Sequence, residues 1–409
     1  MLTAFGYTAG GLNPGGVSGF LNSSWTLNTS GAIPRAEQTW KRLPDAPVSG
    51  RQEVAAAKIG DALFFIGGFA YSPPFSYNDT LKLEKIAGVW TWSKLADFPY
   101  ALSSMGVVSI GQVLYVVGGA DYNRTGFCVQ ASCTGRTPLG SGIHSLDTSQ
   151  TKARWQRLPD LPGVPRWVDL HKDPCCVFLK HPLLLIPQVN QVHSVTAVRG
   201  EIYVIGGALS GPSDWGTTSF TIVDNWKYTP ATKHWTRLAD SPMASGNFQT
   251  GGDEHGAFLD RYIILIGGYE YSYIAQMNKT ISPTAGYKSA MQMCDPSKPP
   301  PLKDQSRCHE SCAASKEQQG SEYYNDVFVY DTQKDEFGVA AASSSEEPCL
   351  MPKGCGGYPM NDNLPQTNLR GDKLFTIGGE CDGRKVCGLE TYTHYPRLAL
   401  VGTLKAVEN

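Results

Sequence analysis

Residues able to do chemistry are few in this chain and scattered along it. "CHESC" (308–312) puts Cys308, His309 and Cys312 close enough to share a metal ion, but no second ligand pair of matching spacing lies nearby. "GGDEHG" (251–256) sets Asp253, Glu254 and His255 beside glycines, a combination that can supply a general acid and base. A solvated turn is the simpler account of the same residues. No glycine-rich phosphate loop, G-x-S-x-G elbow or H-E-x-x-H motif occurs. A larger set suits recognition. Tyr71, Tyr122, Trp215, Glu270 and Tyr271 follow glycine pairs, and Arg51, Glu53 and His255 precede them. Aromatic faces beside a few charged groups suit a sugar ring or a peptide. Packing between neighbouring elements accounts for such tyrosines equally well.

The elements that must position these residues recur. "GEIYVIGGALSG" (200–211) reads as an apolar strand running into two glycines. The phrase returns in "GDALFFIGGFAYS" (60–72), "GQVLYVVGGADYN" (111–123), "DRYIILIGGYEYS" (260–272) and "GDKLFTIGGECDG" (371–383), with a degenerate copy in "TAFGYTAGGLNPG" (3–15). Six glycine pairs result, and glycine suits positive φ or close backbone approach. A second phrase runs out of phase with the first: "WKRLPDAP" (40–47), "WSKLADFP" (92–99), "WQRLPDLP" (155–162) and "WTRLADSP" (235–242). Trp and Leu three apart do not share a face of a regular strand, so a bend is expected near the strand end. Asp and Pro then supply turn chemistry. Phe337 in "YDTQKDEFGV" holds the Trp place in a weaker fifth copy. Apolar segments such as "TLKLEKIAG" (80–88) and "NWKYTPAT" (225–232) lie between the two phrases, which makes four strands per repeat.

Composition limits the function. Net charge is −2 and charged residues are 18%, so neither a basic nucleic-acid surface nor a polybasic membrane anchor is indicated. There is no apolar run of about 18 residues, hence no transmembrane helix is expected. Met1 begins no basic, apolar leader of the secretory kind. The cysteines and sequons nonetheless point outside the cytosol. Cys128–Cys133, Cys349–Cys355 and Cys381–Cys387 are expected as local disulfides, each stapling a loop that buries little core, and Cys308/Cys312 is a further close pair. Five N-glycosylation sequons occur, at Asn22, Asn28, Asn78, Asn123 and Asn278, where chance gives about two. A secreted or lumenal glycoprotein is the expectation.

A glycine pair after a short apolar strand, with a Trp further on, resembles the kelch repeat, and the resemblance covers nearly the whole chain. Kelch repeats form four-stranded blades of a β-propeller with a period near 50 residues. The glycine-pair intervals are 57, 51, 88, 61 and 111, so the third and fifth demand insertions. The resemblance implies an all-β fold, a six-bladed kelch β-propeller spanning 1–409 as a single domain, with two long inserted loops at about 163–191 and 274–321. Blade 1 then lacks its first strand, and the tail (396–409) is expected to supply the closing strand.

In kelch propellers the loops after the glycine pairs and the loops joining blades share one face, the usual ligand site. The resemblance therefore implies a module that binds a glycan or a protein loop through Arg51, Glu53, Tyr71, Tyr122, Trp215, His255, Glu270 and Tyr271, with no cofactor. The rival reading is an enzyme acting on a small sugar. Galactose-oxidase-like propellers bind copper through Tyr and His, and here His394–Tyr395, His193 and His255 are the candidates. Sialic-acid mutarotases use a Glu and an Arg after one glycine pair, but "GGALSGPSDWG" has Ala208 and no Arg. The iron motif E-x-x-x-D-x-x-x-H of plant specifier proteins does not occur.

Overall fold

A computed structural model describes residues 2–5, 24–27, 40–51, 54–68, 70, 76–103, 105–119, 142–162, 189–191, 194–210, 218–221, 225–241, 257–266, 269–270, 272–274, 279–280, 322–323, 327–339, 369–370, 373–377, 380–381, 393–394 and 399–403. Among them there is no helix. The chain begins with β1 (Leu2–Phe5), β2 (Ser24–Leu27) and β3 (Trp40–Leu43), paired in that order as a first sheet. The second is the meander β4 (Ala55–Ile59), β5 (Ala62–Ile66), β6 (Thr80–Ile86) and β7 (Val89–Lys94). The third is β8 (Gly106–Ile110), β9 (Val113–Val117), β10 (Ile143–Asp147) and β11 (Gln156–Leu158).

After β12 (Val189–Gln191), the fourth sheet takes β13 (Ser194–Val198) and β14 (Glu201–Ile205). It passes over β15 (Ala208–Ser210) and β16 (Thr218–Thr221), and ends with β17 (Asn225–Thr229) and β18 (His234–Arg237). A fifth contains β19 (Tyr262–Ile266). Four short strands come next: β20 (Tyr269–Glu270), β21 (Ser272–Ile274), β22 (Lys279–Thr280) and β23 (Glu322–Tyr323). The fifth sheet resumes with β24 (Val327–Asp331) and β25 (Glu336–Val339). The last takes β26 (Leu369–Arg370) and β27 (Lys373–Ile377), skips β28 (Glu380–Cys381) and β29 (Thr393–His394), and ends with β30 (Ala399–Thr403).

All the pairings are antiparallel, and the second, third and fourth sheets show the four-stranded repeat read from the sequence. One expectation is corrected. Residues 399–403 of the tail pair with β27 as the third strand of the last sheet, rather than closing the first. Five consecutive residues match that register, and it satisfies their backbone groups.

The strands of the second, third and fourth sheets are apolar on both faces because each of these sheets is packed on both sides. In β5, Phe64 and Ile66 join one core cluster, which includes Leu114 and Val116 of the third sheet. The alternate residues Leu63 and Phe65 pack in another, beside Leu43 of the first sheet. In β14, Ile202 and Val204 face Val108 and Ile143, while Tyr203 and Ile205 face Leu265 and Tyr330. Alternation along a strand thus divides its residues between two inter-sheet cores instead of between core and solvent. The first strands of successive sheets lie side by side, and the Ser109 hydroxyl donates to the Lys58 carbonyl at 2.6 Å.

The Trp phrase connects sheet to sheet. The indole N–H of Trp92 donates to the Pro44 carbonyl at 2.9 Å, Trp155 to Ala96 at 3.0 Å, and Trp235 to Pro159 at 2.9 Å. Each acceptor lies four residues after the Trp place of the preceding phrase. The basic residue and the Asp of the phrase pair with each other, in Arg42–Asp45, Lys94–Asp97, Arg157–Asp160 and Arg237–Asp240. That pairing gives the Asp a partner that turn propensity alone does not explain. The expected bend is not needed. The Trp and Leu of a phrase pack on opposite sides of their sheet, Trp155 and Trp235 in one inter-sheet core and Leu158 and Leu238 in the next. The regular register runs on to Leu95 and Leu238, whose N–H groups donate to the Thr80 carbonyl at 2.9 Å and the Asn225 carbonyl at 3.0 Å.

Phe337 does take the Trp place. It stands opposite Tyr330 as Trp235 stands opposite Tyr228, with ring centroids 4.8 and 4.9 Å apart.

Candidate ligand-binding face

In the second, third and fourth sheets the glycine pair ends the second strand in a fixed geometry. Gly67 and Gly68 have φ of 66° and 102°, Gly118 and Gly119 66° and 108°, and Gly206 and Gly207 62° and 110°. Only glycine adopts two successive such values without strain. In the second sheet the pair is fastened to residues further along the chain. Gly67 N–H donates to Asp79 O at 3.0 Å, Tyr77 N–H to Gly68 O at 2.9 Å, and Gly68 N–H to Leu102 O at 2.9 Å. These bonds close the neck of the segment that carries Tyr71.

Arg51 sits at this neck. Its Nη1 donates to the Asp79 carboxylate at 2.9 Å and to the Gly67 carbonyl at 3.3 Å, and its Nε to the Ser49 carbonyl at 3.2 Å. The guanidinium lies 3.8 Å from the centre of the Tyr77 ring. Its side chain is 7% exposed, so its charge is already balanced inside the protein. Lys94 adds a second contact to Asp79 at 3.3 Å. Burial works to raise the Asp79 carboxyl, but hydrogen bonds and charge from Arg51, then Lys94, outweigh it and hold it below the ordinary carboxylate value. In the fourth sheet a different side chain serves the same turn. Asn225 accepts from Gly206 N–H at 2.9 Å and donates to the Ala239 carbonyl at 2.7 Å and to Ser241 at 3.0 Å.

Beyond the glycine pairs the chain forms further ribbons where open loops were expected. β15 comes directly after Gly207 and pairs with β12 and β16; β16 pairs with β21, and β21 with β22, in a five-stranded sheet. β20 comes after the fifth glycine pair and pairs with β23, and β28 comes after the last and pairs with β29. An antiparallel return satisfies backbone groups that an open loop leaves to water. The five-stranded sheet joins segments that leave two successive glycine pairs, at 206–207 and 267–268.

No family model matches the chain. The Kelch-like protein terF of Aspergillus terreus (strain NIH 2624 / FGSC A1156) is 33% identical over 100 residues, 21% of this chain and 21% of that protein. The match thus spans about a fifth of that relative's length. A solved structure described as "Structure of YjhT" superposes with a TM-score of 0.55 and 14% identity, over 94% of this chain and 89% of its own. Identity that low carries fold alone, and the fold it carries extends across the repeats. The fold is a β-propeller, and over the matched stretch the chain is similar to a Kelch-like protein.

Within this propeller, the residues singled out for recognition fall into three groups. Arg51 is placed at the neck described above. Glu270 stands in β20, opposite Glu322 in the backbone register. Glu53, Tyr71, Tyr122, Trp215, His255 and Tyr271 lie outside the described residues. Of the cysteines expected in disulfides, Cys381 stands in β28 opposite Thr393; Cys128, Cys133, Cys349, Cys355 and Cys387 lie outside the described residues. Asn78 is exposed, with its side-chain amide donating to Phe98 O at 3.3 Å. The sequons at Asn22, Asn28, Asn123 and Asn278 lie outside the described residues.

Sequence reasoning missed Asp79 and Asn225, the side chains that hold two of the turns. Asp79 was legible only as the middle of a sequon, and Asn225 only as the start of an apolar segment. Among the described residues no group of three or more His, Cys, Asp or Glu side chains is arranged to hold a metal ion, and no helix is long and apolar enough to cross a membrane.

Proposed function

We propose that this kelch propeller is a secreted or lumenal binding module that takes a glycan or a protein loop on the face where the chain leaves its glycine pairs. The observation that carries the reading is the five-stranded sheet beyond those pairs. It brings strands that leave two successive glycine pairs into one sheet, close in sequence to Trp215 and Tyr271. On this reading Tyr71, Tyr122, Trp215 and Tyr271 cover the apolar face of the ligand, and Glu53, His255 and Glu270 meet its polar groups. Arg51 acts from beneath, by holding the neck of the Tyr71 segment. The ring is read as six blades in one domain over 1–409, with insertions at about 163–191 and 274–321. The cysteine pairs and the five sequons, Asn78 exposed among them, support passage through an oxidising compartment.

A glycan array probed with the purified protein, followed by calorimetry on the best ligand, tests the reading. Trp215→Ala and Tyr271→Ala are expected to weaken binding by about 1–3 kcal/mol each while leaving the unfolding midpoint in place. Arg51→Ala is expected to lower the midpoint as well, because it strips Asp79 of its closest partner. Absence of glycan binding across the array removes the glycan half of the proposal, and unchanged affinity in both aromatic variants removes the site.

One observation favours a second reading, an enzyme acting on a small sugar, either a mutarotase or epimerase or a copper-dependent oxidase. The register of β28 and β29 sets Glu380 opposite His394, which precedes Tyr395. Metal analysis returning one copper per chain decides for the oxidase, and anomer exchange on a free sugar decides for the mutarotase.

A further inference from the structure

In five sheets the second and third strands pair in the same register. The residue opposite the penultimate position of the second strand is Leu81, His144, Trp226, Phe328 or Leu400 in turn. His144 alone in this series is ionisable. It is 4% exposed. Its ring meets Phe98 edge-on at 5.1 Å and Tyr100 at 5.6 Å, and Phe98 in turn meets Trp155 at 4.9 Å. Phe98 and Tyr100 belong to the segment that joins the second sheet to the third, so His144 occupies the joint between those two sheets. Among the described residues, the charged and titratable groups that face it are three. Tyr100 comes from the joining segment, Arg157 stands opposite on β11, and Asp160 lies just beyond and grips Arg157 with both oxygens at 2.9 Å. On its other side, β9 presents Val116.

We propose that His144 makes the joint between the second and third sheets a proton-operated switch, closed while the imidazole is neutral and loosened when it is protonated. An imidazolium there is enclosed by aromatic rings and stands beside a guanidinium, and the nearest carboxylate is already engaged. Burial first, and then the charge of Arg157 against the weaker pull of Asp160, lowers the His144 imidazole from 6.5 to about 4. In an opened joint it takes up its proton near the ordinary value. Between these limits the open form binds more protons than the closed one, so each pH unit of acidification favours opening by up to about tenfold. The joint is fully held above pH 6.5 and loosens as pH falls toward about 4. Asp79 and Asp147, held below their ordinary 3.8, lose their contribution only in more acid solution.

The same core cluster contains Phe98, Leu102 and Met105, and the Leu102 carbonyl holds the Gly68 N–H at 2.9 Å. Loosening the joint therefore frees the turn from which the Tyr71 segment departs. Acid release of a bound ligand would result, a consequence that rests on the binding role proposed above. The experiment reads the joint itself and so stands apart from that role. Amide hydrogen exchange, expressed as protection factors, is measured between pH 7 and 4.5 on the protein and on His144→Leu, with His144→Gln as a second neutral variant. Protection over residues 96–119 and 142–158 is expected to fall about tenfold or more in the unaltered protein and less than about twofold in the variants, while β13, β14, β17 and β18 hold in all three. Equal acid sensitivity in both variants, or a loss spread evenly over all the sheets, overturns the proposal.

Discussion

Gly67 shows why these repeats require glycine rather than merely tolerate it. A Cβ on Gly67 would stand 2.2 Å from the Leu102 carbonyl oxygen and 2.6 Å from the end of Met105, with φ at +66°. Gly60, at the tight turn between β4 and β5, has a similar φ of +57° but nothing within 4 Å of its Cβ position. The pair separates backbone strain from close approach. Gly60→Ala is expected to cost about 1–2 kcal/mol, the penalty of a left-handed L-residue. Gly67→Ala is expected to cost at least about 2 kcal/mol more, since a backbone oxygen must move and the next sheet moves with it. Urea denaturation of the two variants checks this, and equal losses would show that the close approach is relieved without cost.

At the scale of the elements, the sheets are joined by a repeated hydrogen bond, and one joint is made differently. Phe337 has no N–H to offer the fourth sheet, and the carbonyl that a Trp would reach, at Ala239, already accepts from Asn225 at 2.7 Å. Asp335 supplies the link. Its carboxylate accepts from the Ala239 N–H at 2.8 Å and from the Tyr330 hydroxyl at 2.7 Å. Trp235→Phe is therefore expected to cost about 1 kcal/mol, one buried hydrogen bond. Asp335→Ala is expected to cost about 1–3 kcal/mol, because the hydroxyl of buried Tyr330 loses its acceptor. Phe337→Trp is expected to bring no gain, as its acceptor is taken. Thermal unfolding of the three variants tests the scheme; a stabilised Phe337→Trp would show that Asn225 yields the carbonyl.

For the molecule as a whole, stability depends on sheets that find a neighbour on both faces, as the second, third and fourth do. Two inter-sheet cores share β14 between them, so damage at one joint is felt at the next. The cysteine bridges expected from the sequence would add stabilisation of a separate kind. Non-reducing peptide mapping is expected to recover Cys128–Cys133, Cys349–Cys355 and Cys381–Cys387 as local bridges. With eleven cysteines, at least one thiol remains unpaired within the chain. Free thiols at all six positions would remove both the pairing and the oxidising compartment proposed for the protein.

The sequence by itself determined the repeat. Apolar runs ending in paired glycines, and Trp phrases out of phase with them, specified antiparallel strands and turns through local chemistry, and Phe337 was recognisable as a Trp substitute from spacing alone. Both-face burial was implicit in the unbroken apolar runs of β5 and β14. Contacts between residues far apart in sequence were decided only by the tertiary structure. The partners Arg51 with Asp79, Trp235 with Pro159 and Ala239 with Asp335 are separated by 28, 76 and 96 residues. The short ribbons beyond the glycine pairs were illegible for a related reason. Strands of two or three residues have too little periodicity to announce themselves, and they exist because neighbouring repeats bring them within hydrogen-bonding distance. The tail at 399–403 was legible as a strand, but its partner was not, because an apolar strand fits more than one edge and only the assembled sheets leave one of them open at β27.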